Sequence, residues 1–247
     1  MMLEVKNINK VFDGFSAIKN ISFSLQAGEI HAIIGPNGSG KTTLFNLISG
    51  LIALDAGTVH FEGLDLAKIK PHQIVGLGMS RSFQSANIFP KKTVFENMQI
   101  ALIAKNQAHL NFFKKSDGIY FTQAMELLQA VKLDNEANAL SGRLAHGMQK
   151  QLELAIALAS DPKLLLLDEP TAGMSLAETQ LSIQLITNIV KDRSLTLLFT
   201  EHDMNVVFAI ADHISVLHHG EVIVSGPPEL IRQNQTVRRI YLGHDKV

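Results

Sequence analysis

The sequence predicts an α/β fold: a mixed sheet with an antiparallel β-subdomain, built around one strand–loop–helix unit and carrying an inserted helical lobe. Three observations predict it. Short apolar stretches broken by glycine turns fill the chain up to about Gly63. Helical patterns dominate from about Pro71 to Ser160. Beyond Ser160, apolar runs of strand length alternate with helical segments, the pattern of a parallel sheet.

Taken in order, Leu3, Val5, Ile21, Phe23 and Leu25 mark antiparallel strands, with turns at Asp13-Gly14 and Ala27-Gly28-Glu29. Ile30–Ile34 reads as a short buried strand that runs into a glycine-rich loop. Leu44-Phe45-Asn46-Leu47-Ile48 follows at helical spacing. Thr58-Val59-His60-Phe61 forms a further strand between Gly57 and Gly63. Helices are predicted at Val94–Ala104, Gln123–Val131 and Gln149–Ala159, with the polar stretch Lys105–Asp117 as a loop. Strands follow at Leu164–Leu167, Thr196–Thr200 and Ile214–Leu217, separated by helices at Leu176–Val190 and Met204–Ala211. A short strand at Val222–Val224 and a helical tail at Pro228–Leu242 complete the chain.

At 247 residues the chain exceeds one average domain of about 100–150 residues, which fits a core with an inserted lobe. Apolar residues make up 46%, enough for a sizeable core. Lys and Arg number 22 against 23 Asp and Glu, so bulk electrostatic binding of nucleic acid is not expected. Cysteine is absent, which excludes disulfides, thiolate zinc sites and a cysteine nucleophile. The start, Met1-Met2-Leu3-Glu4-Val5-Lys6, has no apolar core of a signal peptide. No apolar run approaches the ~18 residues of a spanning helix. Mean hydropathy is +0.15, slightly apolar, which hints at a surface covered by a partner.

Two motifs carry chemistry. Gly35-Pro36-Asn37-Gly38-Ser39-Gly40-Lys41-Thr42 satisfies the phosphate-loop pattern, with a buried strand before it and a helix after it. Glycines let backbone N–H groups converge on phosphate oxygens, and the helix N-terminus adds its positive end. Lys41 suits the β- and γ-phosphates, and the Thr42 hydroxyl suits Mg²⁺. Leu164-Leu165-Leu166-Leu167-Asp168-Glu169 is a buried strand ending in two carboxylates. On its own it would be a solvated strand terminus. Beside a phosphate loop it lies at the carboxyl edge of the sheet, where ligands bind. Asp168 suits a water-mediated Mg²⁺ contact, and Glu169 a general base for the attacking water.

The order Gly35–Thr42, Gln84, Leu144–Met148, Asp168-Glu169, His202 resembles the nucleotide-binding subunit of ABC transporters, over essentially the whole chain from Leu3 to Gly243. The resemblance implies a P-loop NTPase fold with an ABC-type core. It divides the chain into residues 1–84 (N-terminal core with the antiparallel subdomain and phosphate loop), 85–158 (helical signature-bearing lobe) and 159–247 (C-terminal core). It implies that ATP and Mg²⁺ bind along residues 35–43, through Gly35, Pro36, Asn37, Gly38, Ser39, Gly40, Lys41, Thr42 and Thr43. Phe12 matches the aromatic that stacks on adenine, with Phe15 the other candidate platform. Gln84 matches the glutamine that senses Mg²⁺ and γ-phosphate. His202 matches the switch histidine; the chain has 10 histidines, and most read as surface or packing residues.

Two segments depart from the family's pattern. Leu144-Ala145-His146-Gly147-Met148 stands where the family has Leu-Ser-Gly-Gly-Gln. The lost serine hydroxyl, at ~1.5–3 kcal/mol for a hydrogen bond to a charged group, implies a weaker half-site rather than a dead one. After Pro170, Ala172-Gly173-Met174 ends in Ser175, where the family has an Asp that couples the two sites of a dimer.

Within the family the chain looks like the importers of branched-chain amino acids and related amphipathic solutes, including the urea and amide branch. The segments that carry this are Gly78–Gln84, Thr93–Asn97, Ala172–Met174 with Glu178-Thr179, Thr200–Met204 and Tyr241-Leu242-Gly243. The resemblance implies a second nucleotide-binding subunit in a head-to-tail ATP sandwich, membrane permease subunits, and indirectly a solute-binding protein. It places the chain at the cytoplasmic face of the inner or plasma membrane. Residues Gln84–Pro90 would lie near the contact with the permease, with Ile88 and Phe89 exposed. The alternatives are an exporter ATPase such as that of lipopolysaccharide extraction, or a non-transport ABC ATPase. The latter usually carries a coiled-coil insertion or a second cassette, and this sequence has neither.

Overall fold

Sheet register explains how this chain places its loops. The computed structural model describes residues 1–82, 88–105 and 120–242. In chain order its elements are β1 (Leu3–Phe12), β2 (Phe15–Leu25), β3 (Ile30–Ile34), α1 (Lys41–Ile48), β4 (Ala56–Phe61), β5 (Leu64–Asp65), α2 (Pro71–Ile74), β6 (Met79–Ser82), α3 (Val94–Lys105), α4 (Phe121–Ala130) and α5 (His146–Ala159). There follow β7 (Leu164–Asp168), α6 (Leu176–Asp192), β8 (Thr196–Glu201), α7 (Met204–Ile210), β9 (His213–His218), β10 (Glu221–Gly226), α8 (Pro228–Gln233) and α9 (Gln235–Leu242).

The strands form two sheets. A four-stranded antiparallel sheet has the order β2-β1-β4-β5. A six-stranded sheet has the order β10-β9-β3-β8-β7-β6, parallel except for the β9–β10 pair. The four central strands are buried along most of their length, which is why they read as continuous apolar runs rather than as alternation.

Period two nevertheless divides the core. Ile30, Ala32, Ile34, Leu165, Leu167, Leu197, Phe199, Ile214 and Val216 face one cluster, shared with α3–α7. Ile33, Leu164, Leu166, Leu198 and Leu217 face the other, which α1 and the antiparallel sheet complete through Leu44, Phe45, Ile48, Leu3, Val5 and Ile18. The sheet is thus sandwiched between helices on one side and α1 with the β-subdomain on the other.

Two short strands lie where the sequence predicted none. β6 falls in the stretch read as helical: its polar Ser80-Arg81-Ser82 lacks apolar alternation, and pairing with β7 makes it a strand. β5 is a two-residue strand that closes the β4 turn. Lys105 closes α3 rather than opening a loop, and the rest of the predicted Lys105–Asp117 loop lies outside the described residues. The tail forms two helices, broken at Asn234. Among the described residues, no helix is long and apolar enough to cross a membrane.

Candidate functional site

The carboxyl ends of β3, β7 and β8 converge, and the phosphate loop crosses beside them. Gly40 is the N-cap of α1 at φ 109°, a left-handed conformation suited to glycine. A Cβ at Gly40 would also press on the Ala17 carbonyl at 2.9 Å, and one at Gly35 would collide with the Leu217 carbonyl and Ser39 Oγ. The loop is braced from outside, since Gly220 N–H donates to the Ser39 carbonyl at 2.9 Å. Ser39 Oγ is buried with no hydrogen-bond partner among the described residues. Such a polar atom in a backbone cradle suits an anion.

Lys41 opens α1 and is buried. Its Nζ donates to the Gly35 carbonyl at 2.7 Å and lies 4.0 Å from Glu169 Oε1. Burial pushes this ammonium below the ordinary lysine range, while the Glu169, Asp168 and Glu201 carboxylates pull it back. Thr42 is exposed on the next position of the helix.

Asp168 and Glu169 both reach the site because the strand's alternation breaks between them. Glu169 adopts φ 49°, a left-handed conformation rare for a side chain of its size and of the kind concentrated at functional sites. Thr200 holds the break in place. Its hydroxyl donates to Asp168 Oδ1 at 2.6 Å and accepts from the Glu169 N–H at 3.0 Å. Arg81 donates to Asp168 Oδ2 at 3.1 Å, and both side chains are buried.

Glu201 is fully buried and accepts from Thr171 N–H and Thr171 Oγ1 and, at 3.1 Å, from the His202 N–H. It ties the loop after Pro170 to the residue predicted as the switch. The His202 ring itself is exposed, with Nδ1 3.8 Å from Glu201 Oε2.

The departing signature segment starts α5. Leu144 is buried, and Ala145 occupies the N-cap with no side-chain cap. His146 Nε2 lies 3.1 Å from the Ala172 carbonyl. Gly147 lies beside the Glu178 carboxylate, and Met148 is exposed. Ser175 caps α6 in a reciprocal box with Glu178, so the position where the family has Asp keeps a capping function. Ser175 Oγ donates to Glu178 Oε2 at 2.6 Å. These hydrogen bonds, followed by the nearby His146, hold the Glu178 carboxyl below its ordinary range.

At the hairpin tip, Phe12 and Phe15 are cross-strand partners, 40% and 68% exposed. Lys10 Nζ sits 5.4 Å from the Phe12 ring centroid. The hairpin reaches the loop through Ala17 and Gly40. Gln84, predicted as a catalytic and Mg²⁺-sensing residue, lies outside the described residues. Of the predicted exposed pair near the permease contact, Phe89 is 52% exposed, but Ile88 is half-buried against the core.

Arg81, Thr171, Thr200 and Glu201 are the site residues that sequence reasoning missed as site residues. The side-chain partners that place them in the site lie far along the chain on other elements, so no local pattern marks them.

The ABC transporter family profile matches residues 18–172. A branched-chain amino acid transport ATP-binding protein of Pseudomonas aeruginosa, BraF, is 34% identical over 98% of this chain and 98% of that protein. The ADP conformation of MJ1267, an ATP-binding cassette of an ABC transporter, superposes with TM-score 0.87 at 30% identity, covering 98% of this chain and 99% of that one. A dimeric post-hydrolysis cassette, MJ0796 bound to ADP and Pi, superposes with TM-score 0.78 at 26% identity over 92% of this chain and 99% of that one. The chain belongs to the ABC transporter family, and it is an ATPase of that family.

Proposed function

We propose that this chain is the ATP-hydrolysing subunit of an importer of branched-chain amino acids or related amphipathic solutes, seated peripherally on the cytoplasmic face of the inner or plasma membrane. The observation that carries the catalytic part is the Thr200 bridge. It sets Asp168 and Glu169 side by side at the loop that holds Lys41.

In this reading Phe12 stacks on adenine, and the amides of Gly35–Thr43 cradle the phosphates. Lys41 turns from the Gly35 carbonyl toward the β- and γ-phosphates. The Thr42 hydroxyl and the Asp168 carboxylate, hard oxygen donors at the loop's edge, would hold Mg²⁺. Mg²⁺ supplies charge neutralisation on phosphate oxygens. Glu169 takes the proton of the attacking water, and His202 orients the γ-phosphate. Gln84 takes the role of sensing Mg²⁺ and the γ-phosphate that the family resemblance implies for it. Residues Leu144–Met148 face ATP bound by a second nucleotide-binding subunit. The division into residues 1–84, 85–158 and 159–247 is part of the same reading, with the middle segment driving the permease subunits.

The test is ATP-dependent uptake of labelled leucine in cells deleted for the gene. Restoration by the wild-type chain and not by Lys41→Ala is the expected result. No uptake defect for any amphipathic amino acid or amide, in a chain that hydrolyses ATP, would contradict the importer reading and favour an exporter.

A further inference from the structure

The roles above leave Arg81 unused, yet its side chain hydrogen-bonds to Asp168 at the edge of the site and to Asn46 and Ser49 beside it. It stands on β6 and reaches two elements at once. Nη2 donates to Asp168 Oδ2 at 3.1 Å on β7. Nη1 donates to Asn46 Oδ1 at 2.7 Å in the far half of α1 and to Ser49 Oγ at 3.0 Å at its C-cap. The guanidinium carbon also lies 5.5 Å from the Phe45 ring centroid, beneath the same helix.

Helical spacing gives this clamp its meaning. Thr42 and Asn46 are four residues apart in the sequence, and Asn46 and Ser49 three, so they follow one face of the helix. Arg81 therefore grips the face of α1 that carries Thr42 while it grips Asp168. Those are the two oxygen donors assigned to Mg²⁺. A guanidinium suits the task because its planar fork fixes several acceptors together, which a lysine ammonium on a flexible stem does not. Thr200 fixes the other Asp168 oxygen, so the carboxylate is oriented from both sides.

We propose that Arg81 is a positioning residue for the metal end of the nucleotide site: it sets the spacing between the Asp168 carboxylate and the Thr42 face of α1. The proposal rests on the ATPase reading of the site. If Arg81 only stapled β6 into the sheet, its loss would lower stability and leave the response to Mg²⁺ unchanged.

The experiment measures the Kd of the full-length chain for a fluorescent ATP analogue in EDTA and in Mg²⁺. The wild type is compared with Arg81→Lys and Asn46→Ala, and thermal unfolding is recorded for each. Arg81→Lys keeps a positive charge beside Asp168 but loses the fork. Asn46→Ala leaves the Asp168 pair in place and removes the shorter of the two hydrogen bonds on the α1 side, so it reports even if the arginine variant is poorly folded. Both variants are expected to lose about tenfold of the tightening that Mg²⁺ gives, with affinity in EDTA within about twofold of wild type, the scale of a lost outer-shell contact at a metal site. Wild-type tightening in both variants overturns the Arg81 assignment alone. A wild-type chain whose affinity ignores Mg²⁺ overturns the reading of Asp168 and Thr42 beneath it.

Discussion

His146 Nε2 lies 3.1 Å from the carbonyl oxygen of Ala172, joining the start of α5 to the loop that follows the acidic strand end. A carbonyl only accepts, so the imidazole carries its proton on Nε2. His146, one of the residues by which this segment departs from the family's pattern, thus ties the start of α5 to the loop after Pro170. His146→Ala removes a hydrogen bond worth about 1 kcal/mol, and is expected to lower ATPase activity of the assembled transporter about fivefold. ATP affinity of the isolated subunit should not change. His146→Gln, whose amide can donate in the same direction, should recover most of the loss. Steady-state hydrolysis and nucleotide titration of the three proteins decide it.

The Thr200 hydroxyl bridges Asp168 and the Glu169 backbone. Thr200→Val keeps the shape and leaves a buried carboxylate oxygen and an N–H each without that partner. The expected loss is about 2 kcal/mol of stability in urea unfolding, together with a fall in ATP turnover. Thr200→Ser should retain both, and an unchanged Thr200→Val would remove the bridge from the account.

Much of this site was legible in the sequence because its signals are local. The glycine run with Lys41 is one contiguous stretch and the acid pair another, and each stands at the end of a buried strand. The cross-strand partners were not legible. Thr200 and Glu201 look like the ordinary end of an apolar strand, and Arg81 lies in a polar stretch of β6 that only its neighbour makes a strand. The left-handed turn at Glu169 has no glycine to announce it. Phe89 and Ile88 were read alike, since adjacent apolar residues do not reveal which one packs inward.

Phe12 and Phe15 face each other across the hairpin, and only mutation separates their roles. Phe12→Ala is expected to weaken ATP binding about fivefold, the scale of about 1 kcal/mol for an aromatic stack. Phe15→Ala should leave affinity within about twofold, on the same scale. Fluorescence titration reads both, and the reverse order of effects would move the platform to Phe15.

His213 gives a pH dependence whose sign follows from its surroundings. Burial lowers its pKa first, and the adjacent His31 ring, 4.8 Å away, lowers it further; the Glu29 carboxylate opposes both. Its Nε2 is 3.0 Å from Ser225 Oγ, and His31 Nε2 is 2.9 Å from Ser215 Oγ. A histidine whose folded pKa is depressed favours the neutral form. Its contribution is present above the unfolded value of 6.5 and is lost as pH falls below it toward the folded value. Tm should therefore drop on acidification through that window, and His213→Asn should flatten the drop. Parallel Tm–pH curves for the two proteins would contradict this.

The central claim is that Glu169, turned into the site by its left-handed backbone, is the base of an ATPase. The most direct measurement is single-turnover hydrolysis of Mg²⁺-ATP by Glu169→Gln beside the wild type, with nucleotide affinity measured in parallel. ATP should bind the variant with affinity close to wild type while hydrolysis falls about a hundredfold or more, as expected for loss of a general base. Hydrolysis at the wild-type rate in a variant that binds ATP normally would contradict the account.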